Sequence, residues 1–298
     1  MNDYSAVMAQ LAARADAFGE VLEQYLPVES EYNAQTVRAM RYSVQNGGKR
    51  LRPVLMTEFF SLSGKPYEYI YPFAAALEFI HCYSLVHDDM PCMDNSDMRR
   101  SKPSTHKQFG EWQALLAGDG LLNFAFETAV TKNRYDVIPP ELACACMIEL
   151  SGAAGIYGMV GGQNFDLASE GKTLTAEQLT LLEQKKTGAL IRAAGRIGMI
   201  ASGADGGAVE LADRYCDALG SAFQIVDDLL DVTGDALQLG KPVGSDTNNG
   251  KTTCCGLWGV REAARTADEF TAAAIDCAKQ LGSDFLADVA ICLRQRKA

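Results

Sequence analysis

Two acidic clusters, each placed on an oily segment, constrain this chain more than any other feature. The first lies in His81–Arg100, HCYSLVHDDMPCMDNSDMRR. Leu77, Phe79, Ile80, Leu85 and Val86 make its upstream part apolar, Asp88, Asp89, Asp94 and Asp97 crowd into ten residues, and Arg99 and Arg100 follow. The second is Phe223–Asp231, FQIVDDLLD, where Asp227 and Asp231 stand four apart among Ile225, Val226, Leu229 and Leu230, so on a helix they share a face. Carboxylates packed this closely repel one another unless cations sit among them. A hard, oxygen-seeking divalent ion such as Mg²⁺ keeps waters and bridges carboxylates to substrate phosphates, and guanidinium forks match phosphate oxygens. Either cluster alone would read as a solvated acidic helix end. Two of them, accompanied by lysines and arginines, point instead to a metal and phosphate site.

The rest of the chain reads as helices with few strand signals. Apolar residues recur at helical spacing over 4–26, up to Pro27, and a second helix over 34–46 is ended by Gly47-Gly48. Pro53 suits the first turn of a third helix. A fourth runs from near Tyr69 to Asp89 and is broken by Pro91, which lets the chain loop back and bring Asp94 beside the helix end. Helices are expected over 106–117, 119–134, and from Pro139-Pro140 to near Ser169. Glycines in this last segment predict a kink or close backbone packing. Thr175–Gln178 forms a capping box for a helix ending near Gly203, and 207–233 carries the second cluster. Residues 236–255, rich in Gly, Asp, Asn, Thr and Lys, read as a mobile loop, and helices follow near 256–281 and 283–294. The expectation is one all-α domain over 1–298 with about ten or more helices, a bundle able to build metal sites from facing helices.

Bulk properties narrow the partners. The 298 residues carry a formal charge of −11 with 48 % hydrophobic content; with no basic stripe, a nucleic-acid partner is excluded. Nine cysteines include no CxxC pair, which suits reduced thiols in a cytosol and small apolar core positions. The first residues do not read as a signal peptide, and no uncharged apolar run of about 18 residues predicts a membrane span.

The ordered motifs carry a resemblance. DDMPCMD at Asp88–Asp94, DDLLD at Asp227–Asp231, GGKRLRP at Gly47–Pro53 and GKPVGSD at Gly240–Asp246 resemble the trans-isoprenyl diphosphate synthases, most closely the short-chain bacterial members that make farnesyl diphosphate. The resemblance runs from about residue 40 to residue 255. It implies the all-α isoprenoid synthase fold with a central cavity, a cytoplasmic homodimer, and isopentenyl and allylic diphosphates as substrates. Roughly three Mg²⁺ per active site would serve it, with Mn²⁺ able to substitute, and neither nucleic acid nor stable membrane insertion is involved.

The resemblance also implies residue roles. Asp88, Asp89, Asp94, Asp227 and Asp231 match metal ligands. Gly48, Lys49, Arg52, His81 and Arg100 match the isopentenyl diphosphate site, and Arg99, Lys185 and Lys241 the allylic side. Thr187 and Gln224 match groups aimed at the carbocation, with Lys185 joining them as catalytic residues, and Phe223 lines the pocket. Tyr83 and Ser84, five and four before Asp88, match the floor that sets product length. Gln163 and Asp166 in GGQNFD match positions to which the sequence alone gives no role. Two departures stand out: Cys254-Cys255 where relatives carry Tyr-Pro, and RRSKPS at Arg99–Ser104 where RRGKPT is usual. The implied product is mainly C15 farnesyl diphosphate, with C10 or C20 synthesis as the alternatives. A class I terpene cyclase would replace DDLLD with an Asn/Ser/Glu triad and lack GGKR; a non-catalytic subunit would have lost an aspartate cluster.

Overall fold

One of the most apolar helices among the described residues is also deeply buried. In a computed structural model that describes residues 5–233 and 252–296, α4 (Tyr71–Asp88) buries Phe73, Leu77, Phe79 and Ile80 completely. A helix apolar on every side must be enclosed on every side, and each such side chain contributes about 1.5–3 kcal/mol when taken from water. The helices before it are α1 (Ser5–Tyr25), α2 (Ala34–Gln45) and α3 (Leu51–Ser61), with a 3₁₀ turn at Tyr67–Ile70 leading into it. After it come α5 (Thr105–Phe109), α6 (Glu111–Thr131), α7 (Pro140–Ala154), α8 (Met159–Ala168), α9 (Ala176–Glu183), α10 (Ala189–Ser202) and α11 (Gly206–Thr233). The last three are α12 (Cys254–Trp258), α13 (Val260–Gln280) and α14 (Asp284–Gln295). The only sheet among the described residues is the two-residue hairpin β1 (Met98–Arg99) and β2 (Lys102–Pro103), antiparallel with Arg99 opposite Lys102. The fold is all-α.

Two compact units make up the chain. Unit I is Gln10–Ile148 with Ala201–Gly203; unit II is Met1–Ala9, Glu149–Ile200 and Ala204–Ala298. In unit I, α6 packs along α4 and against α2, and its glycines permit these contacts. A Cβ on Gly118 would fall 2.0 Å from His87 Nε2, and one on Gly120 would fall 3.0 Å from Met40 Sδ. In unit II, α11 lies against the alanine stripe of α13, Ala263, Ala267, Ala274 and Ala278, and Tyr215, fully buried, donates its hydroxyl to Leu286 O at 2.8 Å.

Several expected boundaries move, each for a local reason. The break expected between 117 and 119 lies instead at Gly110, where φ is +89°, and α6 runs on through Gly118 because that glycine serves packing. The segment after Pro140 is two helices, separated at 155–158. By length and composition Pro140–Ala168 could cross a membrane, although Glu149, paired with Arg196 at 2.6 Å, interrupts it. The helix expected from 256 begins at Cys254, so the end of the expected loop is helical, and Gly259 (φ +79°) divides it from α13. All nine cysteines are free thiols, seven of them buried.

Candidate active site

In unit I the GGKRLRP motif becomes a left-handed turn between α2 and α3. Gly47 and Gly48 hold φ of +79° and +126°, and Arg50 holds +43°. Gly48 is required twice over, because a Cβ there would lie 2.6 Å from Nη1 of Arg100. The Arg100 guanidinium rests on that glycine and donates to Gly47 O, while Asn46 Nδ2 donates to Arg99 O at 3.0 Å. Two motifs fifty residues apart are thereby joined.

Four arginines meet here with two different fates. Arg50 pairs with Glu78 and donates to Val44 O, all within the core. Arg99 grips Asp89 with both arms of its fork, Nη2 to Oδ1 at 2.5 Å and Nε to Oδ2 at 3.1 Å. Arg52 and Arg100 form no ion pair among the described residues, and Nε of Arg52 is buried without a partner. Burial lowers the pKa of both. His81 lies among all four, and burial followed by Arg52 and Arg100 holds its imidazole well below 6.5, hence neutral. Lys49 stands exposed at the mouth of the turn. Arg52 and Arg100, without ion pairs among the described residues and gathered beside a neutral imidazole, favour an anion carrying several oxygens.

The acidic loop returns on itself as Pro91 implied. Asp94 N donates to Asp88 O at 2.9 Å and Ser96 N to Asp89 O at 3.1 Å. Asp94 is exposed, Asp88 half-buried and Asp89 buried. Both Asp88 and Asp94 act electrostatically on Arg99. Asp97 is taken up by Lys107 at 2.8 Å. A small pocket lies behind Asp89 and Arg99, lined by Cys82, Leu85, Val86, Asn46 and Arg100. Ser84 and Asp88 occupy another face of α4. Tyr83 packs edge-on to His87, one turn along the same helix, with ring centroids 5.8 Å apart, and its buried hydroxyl has no partner. Burial, then Asp88, pushes that phenol up to about 12.

In unit II, Lys185 and Thr187 lie on a π-turn, Gln184–Gly188, between α9 and α10. The capping box at Thr175 and Gln178 opens this helix as expected. The GGQNFD motif gains a structural role. A Cβ on Gly162 would meet the backbone of Lys186 at 2.3 Å, and Asp166 pairs with Lys186 at 2.5 Å. Lys185 donates to Tyr157 O at 2.9 Å, Gln163 Nε2 is buried without a partner, and Thr187 and Gln224 are half-buried. On α11, Asp227 accepts from Arg296 Nη2 at 2.5 Å, Asp228 accepts from the Cys254 N–H at 2.7 Å, and Asp231 is buried. Burial and Asp228 push Glu183 up to about 8. Lys241 lies outside the described residues.

Among the described residues no three His, Cys, Asp or Glu side chains converge as a ready-made metal cage. Mg²⁺ does not require one, since it takes one or two carboxylates and completes its shell with water and substrate phosphates. The donor set is all oxygen, and in each cluster an arginine already stands as a cation against a carboxylate, so the residues fit the ion. Sequence reasoning missed Arg50, Glu78 and Arg296. A lone Glu78 within FAAALEFI was a legible demand for a buried cation; nothing in the sequence flagged Arg296.

Comparison with known proteins agrees with this architecture. The polyprenyl synthetase family model matches residues 33–284. The farnesyl diphosphate synthase of Geobacillus stearothermophilus is 43 % identical over 252 residues, covering 83 % of this chain and 84 % of that protein. That of Escherichia coli strain K12 is 39 % identical over 278 residues, 93 % of each. The crystal structure of a geranylgeranyl pyrophosphate synthetase from Pyrococcus horikoshii superposes with a TM-score of 0.88 at 28 % identity, covering 98 % of this chain and 99 % of the other. The chain belongs to the polyprenyl synthetase family and is a prenyltransferase.

Proposed function

We propose that the enzyme condenses isopentenyl diphosphate with dimethylallyl and then geranyl diphosphate, giving mainly (2E,6E)-farnesyl diphosphate and diphosphate. One observation carries this reading: the turn at Gly47–Arg52 meets the Arg99–Arg100 hairpin, leaving Arg52 and Arg100 without ion-pair partners beside a neutral His81. A cationic pocket next to an aspartate cluster suits a reaction that joins two diphosphates, whereas a cyclase needs only one. The two relatives named above as farnesyl diphosphate synthases support the C15 product.

Lys49, Arg52 and Arg100 bind the diphosphate of isopentenyl diphosphate and hold its double bond for attack. Arg99, Lys185 and Lys241 serve the allylic diphosphate. Asp88, Asp89, Asp94, Asp227 and Asp231 would hold Mg²⁺, which would supply Lewis-acid neutralisation of the leaving diphosphate's charge. Thr187 and Gln224 turn oxygen dipoles toward the allylic cation, and Phe223 helps keep water away. The allylic C–O bond breaks, the double bond supplies the electrons of the new C–C bond, and the proton leaves with the released diphosphate. His81 is a poor base for that proton because burial, and then the four arginines around it, hold its imidazole well below 6.5. We also read the enzyme as a cytoplasmic homodimer. The free thiols suit a reducing compartment, and exposed Trp112, Leu115 and Leu116 form an apolar row on α6 for a second copy.

A geranylgeranyl product is the second reading, favoured by Tyr83, which packs on His87 about one residue's rotation away from Ser84. Product analysis with labelled isopentenyl diphosphate decides between them. C15 is expected from the natural chain, a shift toward C10 from Ser84→Phe, and C20 or longer from Tyr83→Ala. C15 from both variants would place the floor elsewhere, and C20 from the natural chain would establish the second reading.

A further inference from the structure

The residue just past α14 covers two positions of the second cluster at once. Arg296 Nη2 donates to Asp227 Oδ1 at 2.5 Å and to Phe223 O at 2.9 Å, and its guanidinium lies 3.7 Å from the centre of the Phe223 ring. The arginine side chain is 4 % exposed, whereas that of Asp227 is 49 % exposed. The arginine is therefore well seated on a carboxylate that itself stays half-exposed. Its Nε is buried without a partner, so this seat satisfies only part of the guanidinium.

We infer that Arg296 is an internal cation occupying Asp227 in the metal-free enzyme, and that a divalent ion must displace it to bind there. The inference rests on Asp227 being a metal ligand. The guanidinium on Oδ1 already neutralises the Asp227 carboxylate, and its positive charge repels a divalent ion approaching the other oxygen, so the two compete for Asp227. Release of Arg296 would also uncover Phe223, a wall of the substrate pocket in the reading above. Metal binding and exposure of that wall would then be one event, without a further switch.

Mn²⁺ binding to the full chain, followed by electron paramagnetic resonance without substrate, tests this. Arg296→Gln should bind Mn²⁺ about tenfold more tightly, within the 5–150-fold range of ordinary coupling between sites. Arg296→Lys, which keeps the charge but loses the fork and the stacking, should fall between. In an Asp227→Asn background, Arg296→Gln should change nothing. Unaltered or weaker Mn²⁺ binding by Arg296→Gln, with the native circular dichroism and melting profile retained, would overturn the inference. Should Arg296→Gln misfold, Arg296→Lys alone decides, and unaltered affinity there overturns it. Asp227→Asn separates the two ideas: full Mn²⁺ binding by that variant removes Asp227 as a ligand, whereas lost binding alongside an inert Arg296→Gln removes only the displacement.

Discussion

The two acidic clusters meet the same electrostatic demand by opposite means. In the first, the cation comes from ten residues along the chain, and Arg99 closes on a carboxylate whose side chain is 3 % exposed. The neighbouring Arg100 binds the same hairpin to the glycine turn, so this cation belongs to the fold. In the second, the cation comes from sixty-nine residues away, and its carboxylate stays half-exposed. An arginine built into a hairpin is scaffold; one laid across an open carboxylate is an occupant. Equal numbers of charges in a sequence therefore say little about which of them can leave.

The largest expected effect tests what the clusters share. Asp88→Ala and Asp227→Ala should each lower kcat by about 10²–10³-fold, the range seen when a charge-stabilising group is removed. Steady-state kinetics with saturating Mg²⁺ measure it. A loss confined to one variant would mean that only one cluster handles leaving-group charge.

The next effect tests what they do not share. Arg99→Ala leaves buried Asp89 uncompensated and should cost about 3 kcal/mol of stability, while Arg296→Ala should cost about 1 kcal/mol, because Asp227 can turn to water. Urea unfolding of the two variants compares them, and similar costs would erase the distinction between scaffold and occupant.

Acid should also separate the clusters, since His81 sits beside the first and the chain's other histidines are His87 and His106. The folded state holds His81 below 6.5, so the unfolded state binds the proton first. The penalty is absent above pH 6.5 and grows as pH falls below it, by at most about 1.4 kcal/mol per pH unit. Between pH 6.5 and 5, His81→Gln should lose less stability than the natural chain in thermal melts. Parallel losses would show that His81 is not the group responsible.

The smallest effect concerns the hairpin that carries Arg99. Its two turn residues, Arg100 and Ser101, hold φ of +52° and +63°, the mirror-image turn that favours Asn and Gly. The departure from RRGKPT thus falls at a left-handed position. Ser101→Gly should raise stability by about 1 kcal/mol, read as a higher midpoint in urea; a lower midpoint would mean that the serine side chain contributes more than its backbone strain removes.

What the sequence made legible was local. The α4 helix, its end before Pro91 and the return of Asp94 followed from apolar patterning and one proline, and the glycine turn from Gly47-Gly48. Features set by tertiary packing were not legible. Gly118 looked like a helix break because the ring of His87 pressing on it is invisible in one dimension. The Arg50–Glu78 pair spans 28 residues and the Arg296–Asp227 contact 69, and no local pattern encodes either. The role of GGQNFD emerged only when Gly162 was seen against the Lys186 backbone.

That contact leads to the π-turn at Gln184–Gly188. Such a turn closes i→i+5 and so holds one residue more than a regular coil. Deleting one of those five residues would let α9 and α10 join as a regular α-helix with the phase downstream unchanged. Winding all five as ordinary α-helix would instead rotate everything downstream by about 100°, and the Leu179 side and the Leu190–Ile191 side could no longer both face inward. The wide turn thus works as slack: it takes up one residue of length and keeps the two halves of the helix in one frame.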